Sequence, residues 1–388
     1  MSKKLLAAAI AAALAPAAVM AEASNVTIYG RIDYGFMSRG GDNGGNAQAG
    51  QKGRQNGLED GIAGSNRLGF KGSEDLGNGL KAIFEFEFGF AGDTGSSFGG
   101  TSNRHSWVGL TGNFGTVLGG RVDGGRYSFV GQYDPFKNQT VANAGSLFGV
   151  TSHLGQADRA DNAIVYITPE VAPGLKFLAA YTTSLIGEDG SNPLTNLNGI
   201  NAAGDGSDVE SGDTPLWLIA AMYNNGPISF TLDYENLQVK RSLANGGSDL
   251  EFDLWVVGAS YDFGVAKLSA YYENVEGDDT ASKAISESDG WLIGLSAPVT
   301  SNITLKASYV KANDDTGANR DCSKWGFGGE YAFSKRTTAY ATYAKLDNDS
   351  AANCGISKSA AGNNGTASAT GNAGYGDSGF NIGIAHTF

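Results

Sequence analysis

Apolar and polar residues alternate along this chain with a period of two. From Asn25 to Phe36, Val26, Ile28, Ile32, Tyr34 and Phe36 fall on one parity, and Thr27, Arg31 and Asp33 fall on the other. Successive side chains of an extended strand point to opposite faces, so the segment is predicted to be a strand with one oily and one wet side. The pattern recurs. Phe84, Phe86 and Phe88 oppose Lys81, Glu85 and Glu87, and Phe230, Leu232 and Tyr234 oppose Thr231, Asp233 and Glu235. Leu305 and Tyr309 oppose Thr304, Lys306 and Ser308. Trp325 and Phe327 oppose Lys324, and Ile382 and Ile384 oppose Asn381. Two segments are ambiguous. Leu216–Met222 is apolar on both parities, and Leu254–Tyr261 shifts phase, which predicts a bulge.

The pattern predicts strands near 25–39, 66–74, 80–90, 104–112, 115–122, 162–170, 175–184 and 214–224. It continues near 228–238, 250–262, 265–276, 288–298, 302–312, 322–333, 336–347 and 378–388. Short turn-forming connections such as Asp75–Gly79, Gly112–Gly115, Asn224–Pro227 and Ser334–Arg336 alternate with long polar loops. The long ones lie near 40–65, 91–103, 123–160, 185–213, 239–249, 277–288, 313–321 and 348–377. A soluble sandwich would also alternate, but this layout is that of a sheet threaded through a membrane, with turns on one side and loops on the other. The expected fold is all-β, a 16-stranded antiparallel transmembrane β-barrel. The first and last strands can pair and remove the sheet edges. Sixteen strands leave a water-filled lumen.

The N-terminus carries Lys3 and Lys4, then an apolar run from Leu5 to Val19 that ends at Ala18-Val19-Met20-Ala21. That reads as a secretory signal peptide over 1–21, with the barrel over 22–388. The other reading is an N-terminal anchor, but the run is shorter than the ~20 residues of a spanning helix. Loss of Lys3 and Lys4 takes the formal charge from −13 to −15. The acidic balance argues against a nucleic-acid partner. Gly at 58 of 388 residues with only 8 Pro and 2 Cys excludes collagen and disulfide-stapled mini-proteins.

Enzyme chemistry is not indicated. His105, His153 and His386 have no paired ligand spacing and read as isolated polar residues. There is no nucleophile elbow and no phosphate loop. Asp278-Asp279 and Asn313-Asp314-Asp315 lack a complete calcium loop and read as solvated turns. No cofactor and no metal are expected. Cys322 and Cys354 both fall on the long-loop side. Export to an oxidising compartment makes a bridge between them the expected state, with two free thiols as the alternative. Arg31, Arg121 and Lys81 have lumen parity.

Several motifs resemble the general porins of Gram-negative outer membranes, most closely the beta-proteobacterial, neisserial-type group. Val26-Thr27-Ile28-Tyr29-Gly30-Arg31-Ile32-Asp33 resembles the first strand, and Ser65 to Ala82 resembles the second hairpin very closely. Ser106-Trp107-Val108-Gly109-Leu110 with Phe114 to Arg121 resembles the next hairpin. Tyr166-Ile167-Thr168-Pro169-Glu170 resembles a family turn, with Thr168 and Val171 departing from it. The terminal Phe388 resembles the end signature read by the outer-membrane assembly machinery. The resemblance covers essentially the whole mature chain.

It implies a homotrimer in the outer membrane, in contact with lipid and lipopolysaccharide, whose channels pass small hydrophilic solutes and ions. The long third loop is implied to fold inward, bringing Arg126, Asp134, Lys137 and Asp158 towards the waist. Arg67, Arg104 and Arg159 match wall arginines that face this loop in similar anion-preferring porins. Arg104 shares parity with Val108 and Leu110, so reaching the lumen requires a bulge or a position above the lipid. The expected function is passive diffusion with a mild anion preference. The alternatives are a substrate-preferring channel, for which Tyr127, Phe129 and Tyr133 hint at a sugar slide, and a surface β-barrel adhesin or secreted β-protein.

Overall fold

In a computed structural model, the described residues are 25–41, 54–94, 103–151, 159–185, 214–239, 249–278, 287–317, 319–352, 354–358 and 376–388. The signal segment 1–21, His153, Asp158, Asp279 and most of the loop 185–213 lie outside them. Around the wall run β1 (Asn25–Gly40), β2 (Arg54–Asp60), β3 (Arg67–Gly77), β4 (Leu80–Gly89), β5 (Asn103–Gly112) and β6 (Gly115–Asp123). Then come β7 (Arg159–Ile167), β8 (Leu175–Thr182), β9 (Leu216–Asn225), β10 (Ile228–Val239), β11 (Leu250–Asp262) and β12 (Lys267–Gly277). The wall is completed by β13 (Ser288–Pro298), β14 (Ile303–Asp314), β15 (Cys322–Ala332), β16 (Thr337–Asn348) and β17 (Ser378–Thr387). β2 and β3 both pair antiparallel with β1, each later strand pairs antiparallel with the one before it, and β1 pairs with β17 from Arg31↔Thr387 to Gly40↔Ser378, closing the sheet.

The barrel has sixteen wall positions, because β2 and β3 share one of them. β3 pairs with the first half of β1 and β2 with the second. The stretch expected as loop 40–65 therefore contains a strand. Its seven residues carry little alternation, and pairing to β1 rather than apolar pattern holds them. The break between β2 and β3 turns at Gly61, whose φ is +60°. Asp33 fixes it: the buried carboxylate accepts N–H bonds from Ile62 (3.2 Å) and Ala63 (3.0 Å) and the Tyr340 hydroxyl at 2.6 Å.

Outward positions are apolar and exposed, including Ile28, Phe84, Phe86, Phe230, Ile293 and Ile382. This is the lipid-facing side that period-two alternation demands. Substituting Phe86→Arg is expected to cost about 2–4 kcal/mol if the site is near the bilayer midplane. Denaturant titration of the protein refolded into vesicles measures it, and an unchanged midpoint would place this face away from lipid.

Besides a register shift between Asp75 and Gly77 at the β3–β4 turn, two bulges interrupt the ladder. One falls between Glu87 and Phe88, where Arg104 is the extra residue on β5, and the other between Gly120 and Val122, at Arg121. The bulge expected in Leu254–Tyr261 is absent: β11 pairs in unbroken register on both sides. Its phase blurs because both faces are apolar. Trp255 and Val257 point out, whereas Leu254 and Val256 are buried inside the barrel. The same holds for β9, where Leu216 and Leu218 are buried and Trp217 and Ile219 exposed.

What buries those inner positions is the third loop, which enters the lumen with α1 (Gly125–Tyr133) and α2 (Gly145–Thr151). Its side chains form an apolar core against the wall, with Phe129, Val130, Tyr133, Val141, Leu147 and Phe148 all at most 5 % exposed. Inward glycines make room for it. A Cβ on Gly290 would come within 2.6 Å of the Phe148 ring, and one on Gly258 would enter the Tyr133 ring. Part of the glycine surplus is thus a seat for the loop.

Candidate functional site in the lumen

The third loop divides the lumen, and buried polar contacts fix its position. Arg126 on α1 pairs with Glu273 on β12, through Nε to Oε2 at 2.9 Å and a second, shorter contact to Oε1. The Arg126 backbone N–H donates to Glu235 Oε1 at 2.9 Å, and Tyr271 donates its hydroxyl to Glu273 at 2.7 Å. Burial opposes the Arg126 charge, but the Glu273 carboxylate more than restores it and holds its pKa above the ordinary value. Tyr133 donates to Thr231 at 2.9 Å. Lys324 on β15 donates to the Asn143 carbonyl and to Ser146 Oγ.

Several sequence expectations change here. Asp134 does not line the water path. It is 2 % exposed, and its carboxylate accepts N–H bonds from Phe136 (2.9 Å), Asn138 (3.0 Å) and Ala144 (2.9 Å). Burial raises its pKa while those N–H groups pull it back. Its carboxyl group organises the loop through these three backbone N–H bonds. Phe129 and Tyr133 are buried anchors and not a sugar slide. Tyr127 stands apart, its ring centroid 5.6 Å from the Arg159 guanidinium. Lys81 lies at the short-turn end of β4, opposite Thr111.

The remaining sequence-predicted residues meet on one wall. Arg67 Nε lies 3.4 Å from Glu87, and the bulge brings Arg104 to the same carboxylate. Arg159 is 3.0 Å from Asp123, Arg121 pairs with Asp161, and Arg31 is 3.0 Å from Asp33. His105 is not isolated. It stands between Glu85 (2.9 Å) and Asp123 (3.0 Å), and Tyr29 donates to Glu85 at 2.6 Å. Glu85, Glu87 and His105 place ligand-type atoms within 4.8 Å of one another. Two guanidinium groups on Glu87 already supply the countercharge, which opposes a divalent cation there.

A second group escaped the sequence reading. Between the third loop and β14–β17 lies a pocket of about 260 Å³ bordered by Arg31, Lys137, Lys306, Lys335 and Arg336, with Glu330 the one acid among its described lining residues. Lys306 pairs with Glu330. Lys335 and Arg336 read as turn residues and Lys306 as one of many wet-face charges, so only their approach across the barrel reveals the cluster.

Cys322 and Cys354 form a disulfide. It joins the start of β15 to residues 354–358, which cover the third loop: Asn143 donates to the Ser357 carbonyl at 2.8 Å, and Lys358 donates to the Asp60 carbonyl at 2.8 Å. Non-reducing peptide mapping should recover the two cysteines in one linked species, and two freely alkylated thiols would refute it. Opening the bridge should cost about 3–4 kcal/mol by loop entropy.

A closed barrel with lipid-compatible flanks, a polar lumen and an internal loop defines a membrane channel. Residues 7–351 match the Gram-negative porin family, and the chain belongs to it. The protein is an outer-membrane porin of a Gram-negative bacterium, a water-filled channel for passive diffusion of small hydrophilic solutes and ions. It is 29 % identical to an outer membrane porin protein of Bordetella pertussis over 378 residues, 88 % of this chain and 93 % of that protein. Outer membrane porin protein 32 of Delftia acidovorans is 36 % identical over 172 residues, 44 % of this chain and 46 % of that one. Among solved structures, an anion-selective porin from Comamonas acidovorans has a TM-score of 0.72 at 27 % identity, covering 94 % of this chain and all 100 % of that one. The trimer form of OmpT from Vibrio cholerae shares the fold, with a TM-score of 0.61 at 16 % identity over 95 % of this chain and 100 % of that one.

Proposed function

We propose that this porin prefers anions and that three copies assemble in the outer membrane, bordered by lipid and lipopolysaccharide. Export by the 1–21 signal peptide is part of the same reading. The observation that carries the selectivity is the lumen pocket lined by Lys137, Lys306, Lys335 and Arg336 with Glu330, and by Arg31, which is paired with Asp33. Low-dielectric walls focus the field of charges in a narrow section, so these residues outweigh the chain's overall negative charge. Arg67, Arg104, Arg121 and Arg159 line the approach and are largely balanced by three carboxylates, Glu87 shared by the first two, Asp161 and Asp123. They orient solutes more than they add net charge. The likeness to an anion-selective porin supports the same sign. The test is a planar bilayer with a salt gradient across the purified protein. The expected reversal potential has the sign of anion preference, and a cation-preferring potential at both low and high salt overturns the reading.

A further inference from the structure

On the other side of α1 the lumen is oily. A cavity of about 450 Å³ lies between α1 and the inner faces of β5–β12. Its lining includes Leu118, Val165, Leu178, Leu218, Phe252 and Leu254. Porin interiors are polar, and apolar surface facing water is unfavourable, so a concentrated apolar lining of this size points to an occupant. The volume is that of a small-molecule site. Among the charged groups at its edge, acids outnumber bases. Glu85, Asp123 and Glu235 reach the lining, while Arg126 is committed to Glu273, and His105 is held between Glu85 and Asp123.

One further side chain sharpens the chemistry. Asp233 lies two residues before Glu235 on the same inward face of β10. It is 0 % exposed, and neither carboxylate oxygen has a hydrogen-bond partner. A buried carboxylate without a donor is costly and unusual. Glu235 has one oxygen engaged by the Arg126 N–H. Asp233 therefore lacks a donor, and the one guanidinium beside the pair, Arg126, is already committed to Glu273. A primary ammonium supplies donors and positive charge together, with three N–H groups on one cation.

We propose that this recess binds a small amphipathic cation, its compact apolar body against Leu178, Leu218 and Phe252 and its ammonium head at Glu235, which lines the recess, with the donor-less Asp233 just behind it on β10. The proposal is independent of the sign of bulk selectivity, since the recess and the basic pocket lie on opposite sides of the third loop.

Trp107 gives a direct readout. It lines the recess, whereas Trp217, Trp255 and Trp325 are exposed on the outer wall and Trp291 shares their outward parity. The full-length protein is titrated with phenethylammonium, ethylammonium and phenylpropionate, following tryptophan emission and reversible interruptions of single-channel current. Phenethylammonium should change both signals, with the other two at least about tenfold weaker, one lacking the apolar body and the other the positive head. Asp233→Asn keeps the shape and should weaken phenethylammonium by about tenfold or more. Ala180→Leu fills the recess and should do the same while preserving the carboxylates, so it decides the matter if the Asn variant does not fold. Equal responses to ethylammonium, or to phenylpropionate, overturn the proposal. So does an undiminished response in folded Asp233→Asn, which would mean that the two carboxyl groups merely share a proton.

Discussion

Substituting Glu273→Ala is expected to destabilise the folded porin by about 3–5 kcal/mol and to loosen the third loop. Arg126 and Glu273 are 6 % and 3 % exposed, and the guanidinium meets both carboxylate oxygens. Removing the acid takes away the ion pair that neutralises a buried guanidinium, whose NH2 group also donates to the Phe148 carbonyl at 3.2 Å. The Phe148 contact holds α1 against α2, and the Arg126 backbone N–H to Glu235 keeps a wall contact that carries no countercharge for the guanidinium. The loop should therefore fluctuate as a unit, and single-channel records should become noisier as denaturant resistance falls. Arg126→Met tests the other half. It leaves Glu273 with the Tyr271 hydroxyl and should cost less than Glu273→Ala. A quiet, fully stable Glu273→Ala channel would show that the apolar contacts of Phe129, Tyr133 and Phe148 suffice to seat the loop.

The double substitution Arg67→Gln with Arg159→Gln should move the reversal potential towards cations while leaving the barrel folded. Each arginine faces a carboxylate that stays behind, Glu87 for Arg67 and Asp123 for Arg159, so the wall charge falls by two. Arg104 still engages Glu87 and His105 still engages Asp123, which limits the structural damage. The shift should be largest in dilute salt and shrink as the Debye length falls from about 10 Å at 0.1 M to about 3 Å at 1 M. Lys306→Gln and Arg336→Gln in the basic pocket should act in the same direction. If the pocket variants shift the potential and the wall variants do not, the selective waist lies beside β14–β17. If neither pair shifts it, the long-loop acids dominate.

The outer face of the barrel was fully legible, because lipid enforces one apolar parity on strand after strand and Phe84, Phe86 and Ile382 obey it. The inner face was legible only where it meets water. At Leu216–Met222 and Leu254–Tyr261 both parities are apolar, and nothing local distinguishes a bulge from a wall that packs against a distant loop. β2 was invisible for a related reason: its register comes from β1. The wall arginines came from motif resemblance, and parity alone would have rejected Arg104, since one extra residue in the ladder reverses which side it faces. Asp134 misled because a loop carboxylate looks solvated until backbone N–H groups close around it. Lys306 on β14, Lys335 and Arg336 in the β15–β16 turn and Lys137 on the third loop are far apart in sequence, so their convergence exists only in three dimensions.

The hooks on the third loop also order the assembly of the molecule in time. The Thr140 N–H donates to the Ile62 carbonyl in the break beside the first strand, and the next N–H, on Val141, donates to Asn381 Oδ1 on the last. The loop thus grips both sides of the seam, across 240 residues on one side. Contacts this distant in sequence are slow to form, because the entropy of closing the intervening chain is lost before they contribute. The second hook has no partner until β17 arrives, so the loop cannot reach its final seat before the cylinder closes. The resistance of the pore to flow is therefore set by the last event in its own construction: a barrel caught before closure is not a narrow channel waiting to open but an open trough with its stopper unlatched.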